Sequence, residues 1–139
     1  MTLAEKQQHL IDDLQLIDDP QERLGAVVDR AKHRPPLPAD QRTEPNRIKG
    51  CISQAWVVGE MQADRCHFRS DADSPLVRGL VALLCDLYSG ATPAEVISVE
   101  PSLLEDLQLT RTLSPTRLNG LRSVRAAIKA YAATQPARP

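Results

Sequence analysis

Cys51 lies in the run Asn46-Arg47-Ile48-Lys49-Gly50-Cys51-Ile52-Ser53-Gln54-Ala55-Trp56, between a glycine-marked turn and a stretch with strand character. The residues around it suit a nucleophilic sulfur. Arg47 and Lys49 precede the cysteine and favour its thiolate, Gly50 removes a side chain beside it, and Ile52 is its one large apolar neighbour. The competing reading makes Cys51 a small buried hydrophobe, the common condition of a free cysteine. Other cysteine chemistries find little support. A hydrolase needs a base, yet His9, His33 and His67 fall on separate elements, and no local signature ties any of them to the thiol. A zinc site needs clustered ligands, and Cys51, Cys66, His67 and Cys85 show none of the short paired spacings that would make one. Attack by a thiolate on the sulfur of another molecule needs neither a base triad nor a metal, only an accessible tip.

The elements that must position this tip follow from periodicity and caps. Thr2 with Glu5 forms a capping box ahead of Leu3, Leu10, Leu14 and Ile17, which predicts an amphipathic helix ending at Asp18-Asp19. A second helix starts at once from Asp19, Pro20 and Glu22, with Leu24, Val27, Val28 and Ala31 as its apolar stripe. Residues 34–45, with Pro35, Pro36 and Pro38, resist helix and ladder alike and predict an extended surface loop, a stiff connector to the cysteine segment. Residues 53–61 predict a strand, 62–65 a turn, and 66–70 its antiparallel partner, with Cys66 and Phe68 facing the core; a short strand around Arg47-Ile48 adds a third. Residues 76–88 form the most apolar helix, with Cys85 among leucines and Gly90 placed as its carboxyl-terminal cap. Thr92-Pro93 with Glu95, and then Pro101, open two short helices. A long last helix begins at Ser114-Pro115, with Leu118, Leu121, Val124 and Ile128 on one face and Arg122, Arg125 and Lys129 as a solvated basic stripe. Residues 134–139 are expected to be a frayed tail of a single domain spanning 1–139.

Together these elements predict an α+β fold, a small antiparallel sheet of about three strands with helices packed on one face. The 139 residues suit one domain, and four aromatics leave the core to Leu, Val, Ile and Ala. A net charge of −1 gives no electrostatic reason to expect nucleic acid or an anionic membrane as partner. No signal core opens the sequence and no apolar run approaches the length of a membrane span. Three cysteines without paired spacing build no disulfide framework, so a cytoplasmic, reducing location is expected.

Residues 46–50, the Gly50-Cys51 pair, Ser53, Gln54 and Trp56 resemble the sulfur-acceptor motif of the SufE family, whose Gly-Cys-x-Ser-x-Val-Trp core carries a persulfide cysteine. The segments Ser70-Asp71-Ala72-Asp73, Val77-Arg78-Gly79-Leu80, Leu87-Tyr88-Ser89-Gly90, Thr92-Pro93 and Leu113-Ser114-Pro115-Thr116-Arg117 extend that resemblance in order. Ile52 departs from a commonly polar position and Ala55 from a commonly occupied Val. The resemblance implies a SufE/IscU-like fold with Cys51 as persulfide acceptor on a loop at the edge of the sheet. It further implies that Gly50, Ile52 and Arg117 serve partner contact. The partner would be a cysteine desulfurase of the SufS type holding its own pyridoxal phosphate, so that this chain needs no cofactor and binds no metal. Sulfur would pass on to an iron-sulfur scaffold. Two alternatives stand beside sulfur relay: a scaffold that assembles a cluster on its own three thiolates, and a non-catalytic adaptor. Monomer and homodimer are both compatible with the sequence.

Overall fold

Thr2 Oγ1 accepts from the Glu5 N–H at 3.1 Å and Glu5 Oε1 from the Thr2 N–H at 3.0 Å, closing the box that starts helix α1, Leu3–Gln15. The computed structural model describes residues 1–50 and 54–136. Helix α2, Pro20–Lys32, opens with Pro20 in its first turn, although Asp19 makes no side-chain cap bond. Strands β1, Ala55–Gln62, and β2, Arg65–Ala72, pair antiparallel from Ala55 opposite Ala72 to Gln62 opposite Arg65. Helix α3, Pro75–Tyr88, follows β2, and the short helices α4, Pro93–Ser98, and α5, Leu103–Asp106, lead to α6, Pro115–Ala133.

The core lies between one sheet face and the helices. Its centre is α3, ten of whose residues are buried, with Leu80, Val81, Leu84 and Leu87 almost fully enclosed. Alternation along β2 turns Cys66 and Phe68 inward against this helix. On the other side α2 approaches closely at Gly79, where an added Cβ would sit 2.9 Å from the Val28 Cα, so only glycine permits this helix contact. Gly59 makes room in the same way for the Tyr131 ring of α6, which meets Phe68 edge-on at 5.5 Å.

The α+β architecture stands as expected, with one correction to the sheet. Among the described residues it has two strands rather than about three. The segment at Arg47-Ile48 makes only a single-residue bridge, Arg47 opposite Trp56, because Pro45 and the 3₁₀ turn at Glu44–Asn46 shorten the extended run before it and Gly50 turns the chain away after it. The proline-rich connector is more firmly attached than a plain surface loop. Leu37 is buried, and its N–H donates at 3.0 Å to Oδ2 of the buried Asp71. At the carboxyl end α6 stops at Ala133, and Thr134 donates from both N–H and hydroxyl to the Tyr131 carbonyl. The half-buried Gln135 is thus still attached to the body, and the remainder of the expected tail, residues 137–139, lies outside the described residues.

Long-range polar contacts bind the helices together. Gln7 of α1 is buried and its Oε1 accepts the N–H groups of Ser102 and Leu103, serving as the cap that α5 lacks in its own sequence. Lys6 donates to the carbonyls of Asp86 and Ser89 at the end of α3. Arg125 is not part of a solvated stripe. It is buried on α6, its guanidinium pairs with Glu100, donates to the Val99 carbonyl, and stacks 4.7 Å from the Tyr88 ring centroid. Arg122 and Lys129 remain exposed.

Candidate functional site

The nucleophile expected from the sequence, Cys51, and its neighbours Ile52 and Ser53 lie outside the described residues, and the geometry of the site is that of its surroundings. Both stems of the segment are fixed. The buried Ile48 donates its N–H to the Ala55 carbonyl at 2.8 Å, which brings the two ends of the segment together. On the far stem the Gln54 carbonyl accepts the Asp73 N–H at 3.0 Å, tying it to the end of β2. Asn46 Nδ2 donates to the Gln41 carbonyl at 2.9 Å and holds the approach to the turn compact.

Gly50 is exposed and has φ of +83°, a left-handed conformation that side chains rarely adopt. An added Cβ would meet Ser123 Oγ of α6 at 3.3 Å. The turn therefore sits against α6. Arg117, in the first turn of that helix, is half-buried, and its Nη1 is buried without a hydrogen-bond partner among the described residues. It lines a small apolar recess with Val77 and Leu80 of α3, Leu113, and Gly120 and Val124 of α6. The recess holds about 10 Å³, the room of one small group. Gly50 and Arg117, both expected to serve partner contact, are thus associated with the same helix, Gly50 through its approach to Ser123 and Arg117 from the first turn. Ser123 was not signalled by sequence, since a serine on an amphipathic helix carries no mark of what packs on it.

Cations dominate the described surroundings of the turn. Lys49 and Arg47 are exposed, Arg47 makes only an exposed pair with Glu44 at 3.3 Å, and Arg42 lies 6.0 Å from the ring centroid of the half-buried Trp56. Positive charge near a sulfur favours its thiolate.

The other two thiols are placed very differently. Cys66 is fully buried, its Sγ 3.7 Å from Met61 Sδ, and burial raises its pKa. Cys85 is buried in α3 and desolvation pushes its thiol up to about 12. Both face the core as expected. Alkylation of the folded protein at neutral pH should accordingly leave Cys66 and Cys85 unmodified while Cys51 reacts, as read by peptide mass spectrometry; rapid labelling of either buried thiol would contradict this packing. Among the described residues no group of three or more His, Cys, Asp or Glu side chains is arranged to hold a metal ion. His9 and His33 are exposed on or at the end of helices and His67 is half-buried on β2. No helix among the described residues is long and apolar enough to cross a membrane.

A small antiparallel sheet backed by helices, with a tethered glycine turn beside the last of them, defines a two-layer α+β domain. A family model described as "SufE: Fe-S metabolism associated domain" matches residues 8–132, and the chain belongs to the SufE family. An uncharacterised SufE-like protein of Rhizobium etli is 35% identical over 120 residues, covering 83% of this chain and 81% of that one. SufE-like protein 1 of Arabidopsis thaliana, described as chloroplastic/mitochondrial, is 32% identical over 120 residues, 86% of this chain but 32% of the longer plant protein. The solution structure of a hypothetical protein from Thermus thermophilus has the same fold, with a TM-score of 0.75 at 20% identity over 92% of this chain and 93% of that one.

Proposed function

We propose that this protein is a sulfur acceptor, taking persulfide sulfur from a cysteine desulfurase onto Cys51 and passing it on for iron-sulfur cluster assembly. The observation that carries the reading is the enclosure of the other two thiols: Cys66 and Cys85 are sealed in the core with raised pKa, which leaves the chemistry to Cys51, preceded in the chain by the exposed Arg47 and Lys49. In the transfer the Cys51 thiolate attacks the outer sulfur of the donor's persulfide. One S–S bond forms as the donor's S–S bond breaks, and the donor cysteine leaves as a thiolate, so no external oxidant or reductant is needed. Arg47 and Lys49, exposed and close to Cys51 in the chain, favour the anionic sulfur before and after the exchange. Gly50 removes a side chain beside the sulfur, and Gly50, Ile52 and Arg117 serve the contact with the partner.

Pyridoxal phosphate belongs to the desulfurase in this scheme, and Cys51 carries the only covalent intermediate formed on this chain. An iron-sulfur scaffold receives the sulfur afterwards. Relay is favoured over a cluster built on this chain, because a cluster would require Cys66 and Cys85 as ligands and both are packed among core side chains. The proposed setting is the cytoplasm.

The test is intact and peptide mass after incubation of this protein with a desulfurase, pyridoxal phosphate and cysteine. One reductant-labile sulfur is expected on the peptide containing Gly50-Cys51-Ile52. Sulfur found mainly on Cys66 or Cys85 would refute the assignment.

A further inference from the structure

A second recess, unrelated to the sulfur reading, lies between α5 and α6. It has a volume of about 250 Å³, just below the usual range of small-molecule sites. Its floor is apolar, built by Leu84 of α3, Leu104 of α5 and Leu121 of α6, each nearly or fully buried. Its rim carries both signs of charge. Glu100 is already engaged by Arg125 at 3.2 Å and by Lys129 at 3.8 Å. Glu105, exposed on α5, has no ion pair among the described residues, and Arg122, exposed on α6, bonds only the neutral Asn119 Oδ1 at 3.2 Å.

Arg125 adds the more specific mark. It is 8% exposed and lines the same recess. Its Nε and Nη2 are satisfied by Glu100 and by backbone carbonyls, whereas the buried Nη1 has no hydrogen-bond partner among the described residues. A buried donor left unpaired is costly, and a ligand oxygen that reaches it removes that cost. A leucine floor asks for a branched or straight aliphatic body. Two arginines on α6 ask for a carboxylate, and one unpaired glutamate on α5 for an ammonium.

We propose that the cleft between α5 and α6 binds a small apolar α-amino acid, its carboxylate held by Arg122 and Arg125, its ammonium by Glu105 and its side chain on Leu84, Leu104 and Leu121. Purely aliphatic ligands leave the charged rim unanswered, and a simple carboxylate leaves Glu105 facing an apolar group.

The test is a methyl NMR titration of the folded protein with L-leucine as the probe. Saturable shifts are expected at Leu84, Leu104 and Leu121. 4-Methylpentanoate, which lacks only the ammonium, and isoamylamine, which lacks only the carboxylate, should each bind at least about tenfold more weakly, the effect of one lost charge-assisted hydrogen bond. Arg122→Glu and Glu105→Lys alter exposed side chains, so each should keep the unfolding temperature while losing the titration. Absence of saturable shifts up to the solubility limit of leucine overturns the site. 4-Methylpentanoate binding as tightly as leucine, or unchanged binding in Arg122→Glu, overturns the assignment of its head groups.

Discussion

The Cys51→Ser protein is expected to bind the desulfurase as the parent does and to leave that enzyme's turnover at its unassisted level. Serine keeps nearly the same shape and loses the nucleophile, since a hydroxyl near neutral pH presents almost no anion and a thiol ionises far more readily. The described supports of the turn do not depend on the sulfur: Ile48 bonds Ala55, Gln54 bonds Asp73, and Gly50 rests near Ser123 through backbone geometry. Affinity should therefore change by no more than about 0.5 kcal/mol, the range of substitutions that break no buried contact. Turnover with cysteine under a mild reductant, together with calorimetric binding, separates the two quantities. An adaptor that merely docks would stimulate equally well with serine, and that result would end the relay mechanism.

The largest stability loss outside the core leucines is expected at Asp71. Its carboxylate is 6% exposed and collects three donors: the Leu37 N–H at 3.0 Å, the Ala72 N–H at 2.9 Å and the Arg78 guanidinium at 3.4 Å. Arg78 in turn donates to the Arg34 carbonyl at 3.1 Å, so one buried anion fastens the proline-rich connector at two points. Asp71→Ala leaves a buried N–H and a half-buried cation without their acceptor. A loss of about 2–4 kcal/mol is expected, the lower part of the range for breaking a buried pair because Arg78 retains access to water. Asp71→Asn keeps an acceptor for Leu37 and should lose about half as much. Urea unfolding with an unchanged slope gives the measure. A shift under about 1 kcal/mol for the alanine variant would show that the connector is held by other means. The same variant should also slow sulfur uptake, since the connector delivers the chain to the cysteine segment.

What the sequence disclosed was mostly local. The Thr2–Glu5 and Thr92–Glu95 boxes, Pro20 and Pro115 in first helical turns, and Gly90 at φ of +89° after α3 depend on neighbours within four residues, and each appears where expected. Strand alternation likewise placed Cys66 inward. Features depending on distant partners were not legible. Arg125 falls on a plausible basic stripe until Glu100 and Tyr88 are brought beside it, and Gln7 shows nothing of its role at α5, 95 residues away. Leu37 carries no local mark of its burial among prolines, because its partner, Asp71, lies on β2. At the candidate site, motif and resemblance pointed to Cys51, Gly50, Ile52 and Arg117. The structure adds Ser123 and the Arg117 nitrogen that has no partner among the described residues, which only packing could reveal.

The enclosure of Cys66 and Cys85 also determines how the chain meets oxidative stress. A sulfenic acid formed on one thiol is normally rescued when a second, resolving thiol condenses with it to a disulfide. Neither buried cysteine can take that part without opening the core around α3, a rare event for the most enclosed helix of the molecule. Repair of an oxidised Cys51 must therefore come from outside, through small thiols or another protein, and slow supply of these leaves the sulfur exposed to irreversible over-oxidation.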